Sequence, residues 1–349
     1  MPSRVEIDKV SLNNIENRIK GKPDYYRGFA SYMLTGSPKT TIKYLVAINA
    51  MESYLKKSAL DINMDDLNLF FAWIKNGKDS GKPASQSQIQ VTYYGINKFF
   101  GYMFKSGRIK NNPMDNIDAP KQKERIDNRE VPEEWALRKI MDELQLNAEA
   151  SMYRLELMGS TLAQVRDSKN PDVRQLFRDI KKHTLRWAVL ATYITTGIRS
   201  IEVRSIDLED LDFDNRTFKV IAKGENEREI YFGEKLESAL EMWLAVRENM
   251  PNVTSPALFV NTLGNRLGMT YTKDVLNELL KELGLDNLGI TPHRLRAAYG
   301  TNLYEKTRDI YFVQSCMGHA SPRTTEIYAR PRENPTKQGS SIIEDMLFG

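Results

Sequence analysis

The sequence predicts a mainly α-helical chain with one small antiparallel β-sheet, an α+β arrangement in two domains, and three observations carry that prediction. Apolar residues recur at helical spacing along most of the chain. The period switches to short strand-like segments only between Leu211 and Phe232. The balance of charge changes sign near Glu130. With 349 residues, 41% apolar and 28% charged, the chain is long enough for more than one hydrophobic core.

In chain order, residues 1–21 form a short N-terminal arm carrying Arg4, Lys9, Arg18 and Lys20. A weak helical pattern covers Tyr25 to Leu34. From Ser37 the order Ser-Pro-Lys-Thr supplies an N-cap and a proline at the first helical position, and Leu45, Ile48, Met51 and Leu55 then continue at helical spacing. A further helix starts near Asp65, with Leu67, Phe70, Phe71 and Ile74, and stops at Gly77. The next runs from about Ser85 through Ile89, Ile96, Phe100 and Met103. Together these make a helical domain over 22–118 that ends after Asn111-Asn112-Pro113, followed by a charged linker over 119–130.

The second domain, 131–349, opens on another helix. A long polar stretch from Asn147 to Lys182 has no assigned role, and an apolar helix is expected from about Leu185 to Ile194. Leu211–Arg216, Thr217–Ile221 and Arg228–Phe232 read as short strands joined by Asp-Asn and Lys-Gly-Glu-Asn turns, and helices are expected from Lys235 to the C-terminus. The last residues, Ser341 to Phe348, place Ile342, Ile343, Met346 and Leu347 on one face of a short helix after a polar lead from Pro331.

Composition narrows the chemistry. No apolar run approaches the ~20 residues that span a bilayer, and Met1 to Lys20 has no signal-peptide core, so a soluble, cytoplasmic protein without a membrane partner is expected. A single cysteine, Cys316, rules out an intramolecular disulfide. Three histidines (His183, His293, His319) leave little for a metal centre, so neither a metal nor a cofactor is expected. Residues 1–130 carry 21 Lys/Arg against 14 Asp/Glu, a balance of +7, whereas 131–349 carry 29 against 32, a balance of −3. A basic first part suits a chain that holds a polyanion there and works on it elsewhere with a few placed cations; ordinary surface variation gives the same numbers.

Four separated segments invite a single explanation: Thr196-Gly197-Ile198-Arg199, the turn at Lys223-Gly224, Pro292-His293-Arg294-Leu295-Arg296, and Gly318-His319 leading to Tyr328. In number, order and spacing they resemble the tyrosine recombinase (phage integrase, Xer-like) family. That family combines an arginine after a helix-ending Thr-Gly, a hairpin lysine, a His-x-x-Arg pair, a Gly-His and a tyrosine nine residues on. Arg199 with Glu202, Lys223, His293 with Arg296, His319 and Tyr328 match in turn. The match covers roughly the last 160 residues, and Ala222 and Ala297 depart from residues frequent in the family without removing a reacting group.

The resemblance implies a DNA-cleaving and rejoining enzyme with catalytic residues Arg199, Lys223, His293, Arg296, His319 and Tyr328. Attack on a phosphodiester builds negative charge at phosphorus, which two guanidiniums can fork onto. A tyrosine hydroxyl with an ordinary pKa near 10 needs a base, which by analogy is His293. The leaving 5′-oxygen needs a proton, for which Lys223 among arginines is a reasonable acid, and His319 by analogy hydrogen-bonds the phosphate. A 3′-phosphotyrosyl bond conserves the energy of the broken link, so religation needs no nucleotide. The resemblance also implies a clamp of two domains on double-stranded DNA, a tetramer on two sites, a Holliday junction intermediate, a C-terminal tail (331–349) that joins protomers, and room for accessory proteins.

Taken singly, each residue has a plainer reading: Arg199 as a salt-bridge partner of Glu202, Lys223 as a solvated turn lysine, His293 as a helix cap, His319 as a buried histidine, Tyr328 as a packing aromatic. Cys316, among Phe312, Val313 and Met317, reads as a buried small residue rather than a nucleophile, and His183 has no assigned function. Lys105, Arg108, Lys110, Lys121, Lys123 and Arg125 are candidate DNA contacts, with a solvated tether as the even alternative. Two other functions stay open: a type IB topoisomerase-like nicking-closing enzyme, and a catalytically silent DNA-binding protein.

Overall fold

The structure, a computed structural model, describes residues 2–34, 36–77, 81–121, 131–221, 227–318 and 325, with the backbone alone for 2–10. The chain divides into two units, Met1–Arg125 and Ile126–Gly349.

The first unit holds five helices among the described residues: α1 (Pro2–Ile19), α2 (Asp24–Met33), α3 (Pro38–Leu55), α4 (Met64–Asn76) and α5 (Gln86–Lys105). Their ends follow local chemistry. Pro38 sits in the first turn of α3. Asn63 and Asp66 form a reciprocal capping box on α4, as Ser85 and Gln88 do on α5, and Gly77 ends α4 at φ 111°. Helix α3 is central, packing against α1, α2, α4 and α5. Phe29, Ile48, Met51, Leu67, Phe99 and Phe100 fill the core. The segment read as an arm is instead helix α1, and its Ile15 is only 3% exposed within that core. Its scattered apolar residues hid the helix, of which Ile15 and Ile19 pack on that core.

In the second unit, α6 (Glu134–Leu157), α7 (Leu162–Asp167) and α8 (Pro171–Thr196) precede α9 (Ser200–Ser205). A three-stranded antiparallel sheet follows: β1 (Leu211–Asp212), β2 (Thr217–Ile221) and β3 (Glu227–Tyr231). Then come α10 (Glu234–Glu248), α11 (Tyr271–Glu282), α12 (Pro292–Thr307) and α13 (Ile310–Met317). The register pairs Thr217 with Tyr231 and Ile221 with Glu227. The first expected strand shrinks to two residues, because Asp212 caps a turn through Asn215 and Arg216 adopts φ 51°.

Helix α8 is the axis of this unit and touches α6, α7, α9, α10, α11 and α12. From Thr184 to Tyr193 it is buried on every side; most of these residues are apolar, and the buried Arg186 is paired with Glu278 and Glu282. The polar stretch 147–182 proves to be the second half of α6, α7 and the first half of α8, so the helix expected from Leu185 starts at Pro171, capped by Asn170. Leu144, Ala148 and Leu155 on α6 share a core with Leu176, Phe177 and Ile180 on α8. Each helix keeps an apolar stripe inside a polar composition, which is why composition alone missed them. His183 lies in this seam and shares a 2.6 Å hydrogen bond with the Ser151 hydroxyl.

Helices do not run unbroken after Lys235. Residues 251–269 form an irregular connection between α10 and α11, with isolated bridges Asp207–Ala257 and Val260–Arg266, as Pro251, Pro256, Gly264 and Gly268 interrupt any helix. Among the described residues no helix is long and apolar enough to cross a membrane.

Candidate active site

The end of α8 places the first arginine. Thr192 and Thr195 hydroxyls bond back to the carbonyls of Ala188 and Ala191 at 2.7 and 2.8 Å, and the helix stops on Gly197 in the left-handed conformation, φ 61°. The chain turns and Arg199 becomes the N-cap of α9. Glu202, 2% exposed, clamps it twice: its carboxylate accepts from the Arg199 backbone N–H at 2.6 Å and from the guanidinium at 2.8 Å. The expected Arg199–Glu202 pair therefore exists, but its carboxylate is buried, and the Arg199 side chain stays 38% exposed, with a guanidinium that solvent or a ligand can reach.

Helix α12 places the second arginine. Thr291 is the N-cap, its hydroxyl accepting from the Arg294 backbone N–H, and Pro292 occupies the first turn. His293 is thus not the cap. It is an exposed residue in the first turn, three positions before Arg296, so the two lie on neighbouring positions of one helix face. Arg296 is only 7% exposed and donates to the carbonyls of Gly197 and, at 2.7 Å, Met317.

Helix α13 supplies the point of convergence. It ends on Gly318 at φ 61°, immediately before His319. Its last carbonyls have no partner inside the helix and carry the negative end of its dipole. Three consecutive ones each accept a guanidinium from a different segment: Cys316 from Arg228 at 3.0 Å, Met317 from Arg296 at 2.7 Å, and Gly318 from Arg199 at 3.4 Å. These contacts span 88, 21 and 119 residues of sequence. Of the three, Arg199 is the most exposed, so the cluster presents its positive charge to solvent chiefly through that guanidinium.

Two tyrosines packed beside these arginines are unsuited to nucleophilic work. Burial raises the pKa of Tyr193, whose hydroxyl bonds Ser200, and burial likewise raises that of Tyr299. Cys316 is half-buried rather than buried, with Phe312 exposed beside it, since the α13 face that carries Tyr311 and Phe312 points outward; burial still pushes its thiol up.

The structure therefore brings Arg199 and Arg296 together, with His293 one turn from Arg296. Lys223 lies outside the described residues, in the five-residue segment between the paired Ile221 and Glu227, and so do His319, Tyr328 and the tail 331–349. Among the candidate DNA contacts, Lys105, Lys110 and Lys121 are exposed. Arg108 is tied to Asp24 at 3.1 Å and lies over the Tyr102 ring, so part of its charge is already engaged. Lys123 and Arg125 lie outside the described residues. Sequence reasoning missed Arg228. The signal was there: on β3 it shares a face with the buried Ile230, an inward position where a cation needs partners. Among the described residues no group of His, Cys, Asp and Glu could hold a metal ion.

Residues 169–334 match the phage integrase family. The tyrosine recombinase XerC of Haemophilus influenzae (strain 86-028NP) is 31% identical over 244 residues, covering 70% of this chain and 70% of that protein. XerC of Corynebacterium glutamicum is 38% identical over 141 residues, where the match spans 40% of this chain and less than half, 45%, of the relative. Among solved structures, the XerH site-specific recombinase bound to palindromic difH substrate in a post-cleavage complex has the same fold, with a TM-score of 0.64 at 21% identity over 88% of this chain and 80% of that one. A lambda integrase tetramer bound to a Holliday junction follows, with a TM-score of 0.57 at 15% identity over 89% and 79%. The order of motifs, the mainly helical fold with its small antiparallel sheet, and a relative matched over most of both lengths lead to one conclusion: the chain belongs to the phage integrase family of tyrosine recombinases.

Proposed function

We propose that this chain is a site-specific recombinase that cleaves and rejoins double-stranded DNA through a 3′-phosphotyrosyl intermediate on Tyr328. The observation that carries the reading is the convergence of Arg199 and Arg296 on the carbonyls of Gly318 and Met317, the two residues before His319 in the sequence. The Arg199 guanidinium, 38% exposed, is the cation that can reach a non-bridging oxygen of a phosphate, where negative charge grows as the attacking oxygen arrives, and the buried Arg296 beside it adds to the positive field. The Tyr328 hydroxyl oxygen bonds to phosphorus while the bond from phosphorus to the 5′-oxygen of the next nucleotide breaks. The phenolic proton goes to His293, Lys223 protonates the leaving oxygen, and His319 donates to the phosphate. Religation runs the same steps backwards from a free 5′-hydroxyl, which is what strand exchange through a Holliday junction requires. Exchange between two duplexes calls for four protomers, and the apolar face of 342–347 is the segment we assign to their contacts; a cytoplasmic, nucleoid-associated location and accessory proteins belong to the same proposal.

The test is covalent capture. Wild-type protein is incubated with nicked random-sequence duplexes, adducts are separated under denaturing conditions, and the recovered site is sequenced. Tyr328→Phe removes one oxygen and keeps the ring, so it should bind the recovered site nearly as well and form no adduct. An undiminished adduct in this variant refutes the assignment of the nucleophile. Relaxation of supercoiled DNA by a monomer, with no exchange between sites, would favour a nicking-closing enzyme instead.

A further inference from the structure

We propose that Arg228 is a positioning residue for strand cleavage: it fixes the Arg199 guanidinium through Glu202 and seats the end of α13 that leads into His319. The role rests on the reaction proposed above and adds to it a residue outside the matched motif set.

Arg228 is placed to join three segments with one side chain. It stands on β3, five residues after Lys223, and is 16% exposed. One terminal nitrogen of its guanidinium donates to the Cys316 carbonyl at 3.0 Å and the other to Glu202 Oε2 at 3.1 Å. The same Oε2 accepts from the Arg199 backbone N–H at 2.6 Å, while Oε1 accepts from the Arg199 guanidinium at 2.8 Å. Glu202 is thus a buried relay between two arginines. Strand β3, the N-terminus of α9 and the C-terminus of α13 are joined through Arg228.

Charge reinforces geometry. A carboxylate as buried as Glu202 interacts strongly with whatever cation faces it. With both arginines present its charge is divided, and Arg199 retains more of its own positive field for a phosphate. Without Arg228 the carboxylate falls on Arg199 alone.

Gly318 shows how closely the seat is built. A Cβ there would lie 2.7 Å from Arg228 Cζ and 2.8 Å from its Nε, so the guanidinium lies against bare backbone. The glycine that ends α13 at φ 61° also leaves room for this arginine.

The competing explanation is a buried ion pair that only stabilises the fold. The two differ in their dependence on substrate charge. A methylphosphonate at the scissile position is neutral and gains less from Arg199, whereas a general loss of stability affects charged and neutral linkages alike. Using the site recovered by covalent capture, cleavage is timed on nicked phosphate and methylphosphonate duplexes, and binding is measured separately by gel shift. For Arg228→Ala we expect cleavage of the phosphate duplex to slow about 100-fold, binding to change less than about threefold, and the cleavage defect on methylphosphonate to fall below about tenfold. Arg228→Lys restores a cation beside Glu202 without spanning both acceptors, so it should recover part of the rate. Equal defects on both linkages, or an Arg228→Ala protein that cleaves within about threefold of wild type, overturn the proposal. If Arg228→Ala does not fold, the same comparison of linkages with Arg228→Lys decides the matter by the same criteria. A wild-type protein without a Tyr328-dependent adduct would sink the reaction itself, an outcome separate from a failure of Arg228.

Discussion

Replacing Gly197 by alanine should destabilise the second unit and slow cleavage together, because this residue ends α8 and its carbonyl holds Arg296. The cost has two parts. Gly197 sits at φ 61°, a left-handed conformation that costs an L-residue about 1–2 kcal/mol. An added Cβ would also lie 2.2 Å from Tyr299 Cδ1, 2.6 Å from Cγ and 2.8 Å from Cε1. Carbon atoms rest at about 3.5–4.0 Å, so the ring must retreat by more than about 1 Å, and overpacking of that kind costs about 1–3 kcal/mol. The sum is about 2–5 kcal/mol, towards the lower end because Tyr299 is only half-buried and its ring has somewhere to go. Gly159→Ala is the control: it has φ 59° and nothing within 4 Å of the added carbon, so it carries the conformational cost alone. Urea unfolding followed by tryptophan fluorescence reads this unit through the buried Trp187 and Trp243. If Gly197→Ala loses no more stability than Gly159→Ala, the contact with Tyr299 has been overestimated and the reasoning fails.

Lys223→Ala should slow cleavage far more than it weakens binding, and a 5′-thio leaving group, which needs no proton, should rescue it; equal defects on oxygen and sulfur substrates would leave Lys223 only a role in holding DNA. His183 gives a dependence on pH. Burial lowers its pKa from 6.5, so the unfolded chain binds more protons in the window below 6.5, and the stability contributed by the neutral ring is complete above 6.5 and lost as pH falls towards the folded value. Urea midpoints taken at about pH 7.5 and about pH 5.5 should therefore differ less in His183→Gln than in wild type, and parallel pH dependences in the two proteins would remove His183 from the account. Deleting residues 331–349 should leave binding to single sites intact while abolishing cooperative assembly on DNA with two sites, seen by native gel shift; normal junction formation by the truncated protein would assign assembly elsewhere.

Much of the fold could be read from local chemistry. Ser37-Pro38, the Asn63–Asp66 box, Ser85–Gln88 and the glycines at 77 and 197 act within a few residues of themselves, so helix starts and stops stand close to where they were expected. The strand cluster was legible for the same reason, apart from β1, which Asp212 cut short by capping its own turn. Helices whose apolar stripe is diluted by charge were not. Residues 147–182 and the first nineteen residues needed their packing partners, α8 for α6 and α3 for α1, before the buried positions stood out.

The chain alone carries the likeness to the family through the identity, order and spacing of Arg199, Lys223, His293, Arg296, His319 and Tyr328, because a motif is a property of positions along the polymer. It does not show that arginines 199, 228 and 296 meet at three successive carbonyls, since contacts across 88 and 119 residues depend on how α8, α12, α13 and the sheet pack. Arg228 illustrates the difference. In the sequence it is one of many charges near a turn, and only the packed sheet turns it towards Glu202 and against Gly318, where its buried guanidinium must find acceptors.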